Sequence, residues 1–333
     1  MHSQPGLNPQ RLIGLMREAI ARCDLRLAGA TVLTEAGSGA YLVTPVLAAL
    51  AGADRVFALT KSTRYGSAEA IARQTDSLAH LVGVARRVQV VTEKTRSIVA
   101  QADIITNSGH VRPIDAQMIG WMKPTAVIPL MYEAWEFRDA DLDLGECQRR
   151  GIVVGGTNER HPTFDVFSFL GIMAVKLLLD AGVAVYDSRL VVLCDNAFAP
   201  FIETGLKNAG ASVTVSEVLD GLPIDGRVDA VVVALTPRSQ PVIGADAVAE
   251  IAARWPGAVV TQYWGDLDRG ALAAAGVPYW PLAAPDAGHM GILPSAVGPE
   301  PIVRLQAGGL KAGEILWRGR HAGRARPVTE GSA

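Results

Sequence analysis

An excess of charge of either sign is missing from this 333-residue chain: 31 basic side chains stand against 33 acidic ones, a net of -2. So even a balance gives no basic footprint for nucleic acid or for an anionic membrane, and neither is expected as a partner. Cysteine is scarce. Cys23, Cys147 and Cys194 are odd in number and show no C-x-x-C spacing. That pattern speaks against a disulfide framework and a zinc cluster and fits a reducing cytoplasm. The six histidines have no metal-site spacing, so no metal is expected. No apolar run approaches the roughly 18 residues of a membrane span. The opening MHSQPGLNPQRLIGLM has no basic stretch leading into an apolar one, so a cytoplasmic location is expected. The small, basic run 321–333 reads as a flexible tail.

What is present is apolar and periodic. Hydrophobic residues make up 49% of the chain, enough for a sizeable core, and the length suggests two domains. Short Val/Ile/Leu runs alternate with helical patterns: ATVLTEA, RVFALTK, RVQVVTE, DIITNSG and TAVIPLM in the first half, then LVVLCD, SVTVSEV, DAVVVALT and AVVTQYWG in the second. Strands without polar alternation are buried on both faces, so parallel sheets covered by helices are expected. The fold class is α/β, with two doubly wound, Rossmann-like lobes and a cleft between them. The expected boundaries are 1–184 plus a return helix in 297–320 for a substrate lobe, and 185–296 for a dinucleotide-binding-like lobe. A buried linker helix is predicted over Thr163–Gly182. The final helix is predicted over Pro299–Leu316, with Gly308-Gly309 weakening it.

Glycine is not rare in the chain (34 residues), yet it is missing where it is most expected. The stretch Val191–Gly210 reads strand, turn, helix, the opening of a dinucleotide-binding unit, whose turn is usually G-x-G-x-x-G. Here the six residues are Cys194-Asp195-Asn196-Ala197-Phe198-Ala199. Asn196 tolerates a left-handed backbone and Ala199 permits close helix packing. Asp195 would repel a pyrophosphate, and Pro200 removes an amide donor. Glu217, 23 residues after Cys194, ends the next strand at the spacing of an acid that accepts from an adenosine ribose. Asp195, Asn196, Ala197, Phe198, Glu217 and Thr236, the last closing DAVVVALT, are the candidate cofactor contacts.

Three stretches taken together resemble the D-2-hydroxyacid dehydrogenase (formate/glycerate dehydrogenase-like) family. They are DADLDLGECQRRGIVVGGTNERHPTFDVFSFLGIMAVKLL, the Val191–Gly210 unit, and WPLAAPDAGHMGILPSAVGPEPIVRLQAGGLKAGEILWRG. They span most of residues 100 to 320. The resemblance implies NAD or NADP as cofactor, and His289 in Gly288-His289-Met290-Gly291 as the acid/base. It also marks departures. Trp264 stands where the family carries its carboxylate-binding arginine, and only Asp266, Asp268 and Asp286 are candidates to support the histidine. The turn TEAGSGAYL and the run Lys61-Ser62-Thr63-Arg64 resemble, more weakly, the substrate lobe of S-adenosylhomocysteine hydrolase.

In open α/β sheets ligands bind outside the carboxyl ends of strands. Polar clusters after predicted strands therefore supply candidate substrate contacts: His110, Glu133, Arg160, His161 and Trp264, with Arg160 a substitute anion clamp. The expectation is a divergent NAD(P)-dependent oxidoreductase and homodimer that moves a hydride to or from a small polar metabolite other than a plain 2-hydroxy acid. Two alternatives stay open. One is a redox-inactive ligand-binding or partner protein; the other is a lyase or hydrolase with tightly held NAD.

Overall fold

A computed structural model describes residues 4–63, 65–222 and 226–321. Arg64 and nearly all of the expected tail lie outside the described residues. In chain order the elements begin with α1 (Pro9–Cys23), β1 (Thr31–Glu35), α2 (Val43–Leu50), β2 (Arg55–Leu59) and α3 (Ala68–Leu81). They continue with β3 (Val88–Val91), α4 (Arg96–Val99), β4 (Ile104–Ile105), α5 (Ala116–Trp121), β5 (Val127–Pro129), α6 (Leu144–Arg150) and β6 (Val153–Gly155). Next come α7 (Leu170–Asp180), β7 (Arg189–Leu193), α8 (Ala199–Asn208), β8 (Ser212–Ser216) and β9 (Ala230–Ala234). The chain closes with α9 (Ala245–Arg254), β10 (Val259–Trp264), α10 (Arg269–Ala274), β11 (Tyr279–Trp280) and α11 (Glu300–His321).

The chain divides into two compact units, Met1–Val166 with Gly298–Ala333, and Phe167–Val297. The first holds a six-stranded sheet in the order β3-β2-β1-β4-β5-β6, the second a five-stranded sheet in the order β11-β10-β9-β7-β8. Every strand pair in both sheets is parallel. The cause is the one read from the sequence. β9 is buried at all five positions and β1 at four of five, so helices must cover both faces. In the first unit one face packs Val32, Val56, Ile104 and Val127 against α1, α2 and α11, while Leu33, Phe57, Ile105 and Ile128 face α5 and α6.

Two expectations shift. The division falls at Val166 rather than 184, because α7 packs on α8 within the second unit. Gly171 and Gly205 meet there so closely that a Cβ on Gly171 would lie 2.6 Å from the Gly205 Cα. The linker helix also starts at Leu170 rather than Thr163. Asp165 takes a positive φ of 50°, and Phe167–Phe169 form a 3-10 turn. In contrast, α11 runs straight through Gly308-Gly309. A Cβ at Gly308 would meet Thr157 and Phe164, and one at Gly309 would meet the Met131 sulfur, so glycine is what lets the helix lie against its own sheet. The predicted helix loses nothing there because packing outweighs the roughly 1 kcal/mol of propensity per glycine. Gly171→Val should destabilise the second unit by about 3 kcal/mol, an overpacked backbone contact, read as a lower midpoint in chemical denaturation.

Candidate functional site

In an open parallel sheet the crevice lies where successive connections leave in opposite directions. In the second unit that point is between β7 and β9, and the turn after β7 fills it. Asp195 Oδ1 accepts from the Thr236 amide at 2.7 Å, the Thr236 hydroxyl at 2.9 Å and Asn196 Nδ2 at 3.2 Å. Asn196 also donates to the Ala234 carbonyl at 2.8 Å, and its Oδ1 accepts from the Phe198 amide at 3.1 Å. The asparagine side chain thus closes locally a turn that glycines would otherwise shape. Burial works to raise the Asp195 carboxyl, but its bonds to Thr236 and Asn196 outweigh that and hold it below its ordinary value. Arg238 approaches Asp195 Oδ2 at 3.5 Å and is 71% exposed.

The amides of Ala199, Phe201 and Ile202 are bonded to the Asn196 and Phe198 carbonyls, and Pro200 has none. The start of α8 is therefore spent internally. Glu217 follows β8 directly and is exposed. Its charge, after burial and Asp195, helps push the neighbouring Cys194 thiol up to about 11. Phe198, expected at a cofactor, is instead a core residue at 2% exposure. Its ring stands 5.4 Å from those of Phe167 and Trp264. Ala197 remains half-buried on the turn's outer side.

Beyond β10 the chain returns to this carboxyl edge with the His289 loop. Trp264 Nε1 donates to the Gly288 carbonyl at 3.1 Å, and Asp266 accepts from the Gly288 amide at 3.1 Å. The His289 amide donates to the Asp286 carbonyl at 2.9 Å, and the Gly291 amide to the Tyr263 carbonyl at 3.0 Å. A side chain at 291 would run into the Gln262 carbonyl, so glycine there lets the loop press on β10. Trp264, expected to touch substrate, is 7% exposed and anchors the His289 loop. Of the acids considered for the histidine, Asp266 ties down its neighbour Gly288, and Asp268 caps α10 through the Ala271 amide.

In the first unit the corresponding point lies between β1 and β4. The ladder Val32↔Ile104, Leu33↔Ile105 continues so that Thr34 faces Thr106 and Glu35 faces Asn107. The Thr106 hydroxyl donates to Thr34 at 2.8 Å and lies 2.8 Å from Ser108. Glu35 sits under Gly109, where any Cβ would strike its carboxylate. Burial pushes its carboxyl up to about 7, against the charge of Arg112 and the His110 amide. Asn107 Nδ2 donates to the Tyr132 hydroxyl at 2.9 Å, while its Oδ1 is buried without a partner. Tyr132 leans on Asp141 at 3.3 Å, which also pairs with Arg112 and Arg138. The sequence does not single out Glu35 or Asn107 as site residues; only their place at two adjacent strand ends joins them.

The remaining candidates lie past β5 and β6. Glu133 accepts from the Glu159 amide at 2.9 Å and from Arg160 at 3.4 Å. Arg160 is therefore already matched to a carboxylate, which corrects its reading as an anion clamp. Burial, with the charge of Glu133, pushes Glu136 up to about 7, and burial with Glu136 and Glu133 raises Glu159 further. His161 Nδ1 accepts from the Thr163 amide at 3.2 Å, a turn-closing role. His110 is half-buried beside Glu35; burial and the Lys61 charge lower its pKa. Among the described residues no group of three His, Cys, Asp or Glu is placed to hold a metal ion, and no helix is long and apolar enough to cross a membrane.

No family model and no curated protein matches the chain. Among solved structures it is similar to a dipicolinate synthase from Bacillus halodurans, at 12% identity and a TM-score of 0.51, over 85% of this chain and 96% of that one. It is similar to the dipicolinate synthase from Bacillus subtilis, at 12% identity and 0.54, over 89% and 99%. NAD-dependent formate dehydrogenase from Staphylococcus aureus, in complex with NAD, matches at 10% identity and 0.45, over 90% and 100%. Identities this low speak for the fold alone. The resemblance to D-2-hydroxyacid dehydrogenases read from the sequence is thus matched at the level of architecture: two parallel-sheet α/β units of the Rossmann-like kind.

Proposed function

We propose that the chain is an NAD-dependent oxidoreductase acting on a small polar metabolite. The observation that carries this reading is the set of groups gathered at the carboxyl edge of the second sheet: Glu217 at the end of β8, Asp195, Thr236 and Arg238 at the β7/β9 point, and the anchored His289 loop.

These residues fit a dinucleotide, with one difference from a glycine-rich turn. The α8 amides are not available, so Arg238 is the group that meets the pyrophosphate charge. Asp195 is compensated by three hydrogen bonds and faces Arg238, which reduces its repulsion. Glu217 accepts from the ribose hydroxyls and, being anionic, disfavours a 2′-phosphate, so NAD is preferred to NADP. The bound nicotinamide supplies or takes the hydride. His289 moves the accompanying proton at the substrate oxygen or nitrogen, and the Trp264–Gly288 bond holds its loop at the end of β10.

Titration calorimetry of the full chain with NADH and NADPH tests this. NADH should bind at least tenfold tighter than NADPH. Arg238→Ala should weaken NADH about tenfold, roughly 1.4 kcal/mol for one exposed cation on phosphate, and more so at low salt. Absence of NADH binding would favour a nucleotide-free ligand-binding protein, the second reading that the self-bonded Asp195 turn supports.

A further inference from the structure

The carboxyl edge of the first sheet carries a cationic group that the nucleotide reading does not use. Lys61 follows β2, Lys94 follows β3 and His110 follows β4, with all three strands in the one sheet. They are close enough that the charge of Lys61, after burial, lowers the pKa of both Lys94 and His110. Among the described residues neither lysine is in an ion pair; Asp115 offsets only part of the repulsion at Lys94. Lys94 donates to the Val111 carbonyl at 3.2 Å and to the Pro113 carbonyl at 2.8 Å, which leaves one of its three N–H donors for another acceptor. Like charges gathered in this way raise each other's energy, and an anion relieves that. Beneath the His110 turn lies the second observation. Asn107 is 1% exposed, and its Oδ1 has no partner, where a buried acceptor normally has one.

We propose that this edge binds the substrate's acidic head group, a carboxylate or a phosphate, through Lys61, Lys94 and His110, while Asn107 Oδ1 accepts from a hydroxyl or amine on the same molecule. The assignment deepens the oxidoreductase reading, on which it rests for calling the ligand a substrate. Reaching Asn107 requires the Gly109–Val111 turn to yield. Lys94 holds that turn by its carbonyls, so an anion competing for Lys94 loosens the cover over the acceptor.

The test is titration of the full chain, without nucleotide, by four probes: acetate, glycolate, methyl phosphate and glycerol 3-phosphate. The hydroxyl-bearing member of one pair should bind about tenfold tighter than its parent, and which pair responds separates carboxylate from phosphate. Lys61→Met should weaken that probe about tenfold. Asn107→Leu should erase the preference for the hydroxyl and leave the parent anion's affinity as it was. Tyr132→Phe, which removes the same Asn107–Tyr132 bond but spares Oδ1, should keep the preference. The proposal is overturned if no probe binds, if Lys61→Met leaves affinity unchanged, or if Tyr132→Phe erases the preference as Asn107→Leu does. Because NADH is titrated separately, anion binding without NADH binding defeats only the oxidoreductase reading, and the reverse result defeats only this one.

Discussion

His289→Gln should lower turnover by about a hundredfold to ten-thousandfold, the contribution of a positioned proton-transfer group, and leave NADH affinity unchanged. The asymmetry follows from how the loop is built. Its backbone is fixed by four bonds that do not involve the imidazole: Trp264 to Gly288, Gly288 to Asp266, His289 to Asp286 and Gly291 to Tyr263. Glutamine keeps that backbone and a polar side chain of similar reach, but no group that titrates near neutral pH. Trp264→Phe supplies the contrast. It keeps a ring in the core beside Phe198 but removes the indole donor to Gly288, so it should cost less, about tenfold, through a looser loop. The measurement is steady-state turnover followed by nicotinamide absorbance, alongside calorimetry of NADH. A His289→Gln enzyme with wild-type kcat would remove the histidine from the mechanism. An equal fall in NADH affinity would make it a structural residue.

The apolar runs are legible because their cause is local. Five consecutive buried residues in AVVVA leave no solvent face for polar alternation, and the strand-turn-helix reading of Val191–Gly210 matches β7 and α8 almost residue for residue. What composition does not show is the compensation. The glycine-free turn looks hostile to an anion when Asp195 is read alone. Its neutralisers, Thr236 and Arg238, come from some forty residues later in the chain and meet it only across the β7/β9 edge. Arg160 fails as a free clamp for the same reason, since Glu133 reaches it from the preceding strand end. The helix limits err where tertiary contact overrides propensity. Gly308 and Gly309 sit inside a helix because the sheet leaves no room for a side chain, and residues before Leu170 turn rather than wind although they are apolar. Glu35 is visible as a letter in TEAGSG, but its burial depends on Gly109, which no spacing rule connects to it.

That burial sets the remaining large effect. The Glu35 carboxyl is pushed from an ordinary 4.5 up to about 7 by desolvation, the charge of Arg112 and the His110 amide offsetting only part of it. Between those two values the folded chain holds a proton that the unfolded chain has released. Stability therefore falls as pH rises through this window, and the reduced level persists above it. A shift of this size corresponds to about 3 kcal/mol. Glu35→Gln keeps the shape and an oxygen to accept from His110 but cannot ionise. Its unfolding free energy should lose about 3 kcal/mol less than the wild type between about pH 5 and pH 8. Glu136 and Glu159 are raised by the same physics and bend both curves the same way, so the difference between the two proteins isolates Glu35. Chemical denaturation of both at the two pH values reads it. Parallel pH dependences would mean that the carboxyl ionises without cost, through water reaching beneath the Gly109 turn. That outcome would make the cover over β1 and β4 open in the resting protein, and the Asn107 acceptor directly reachable.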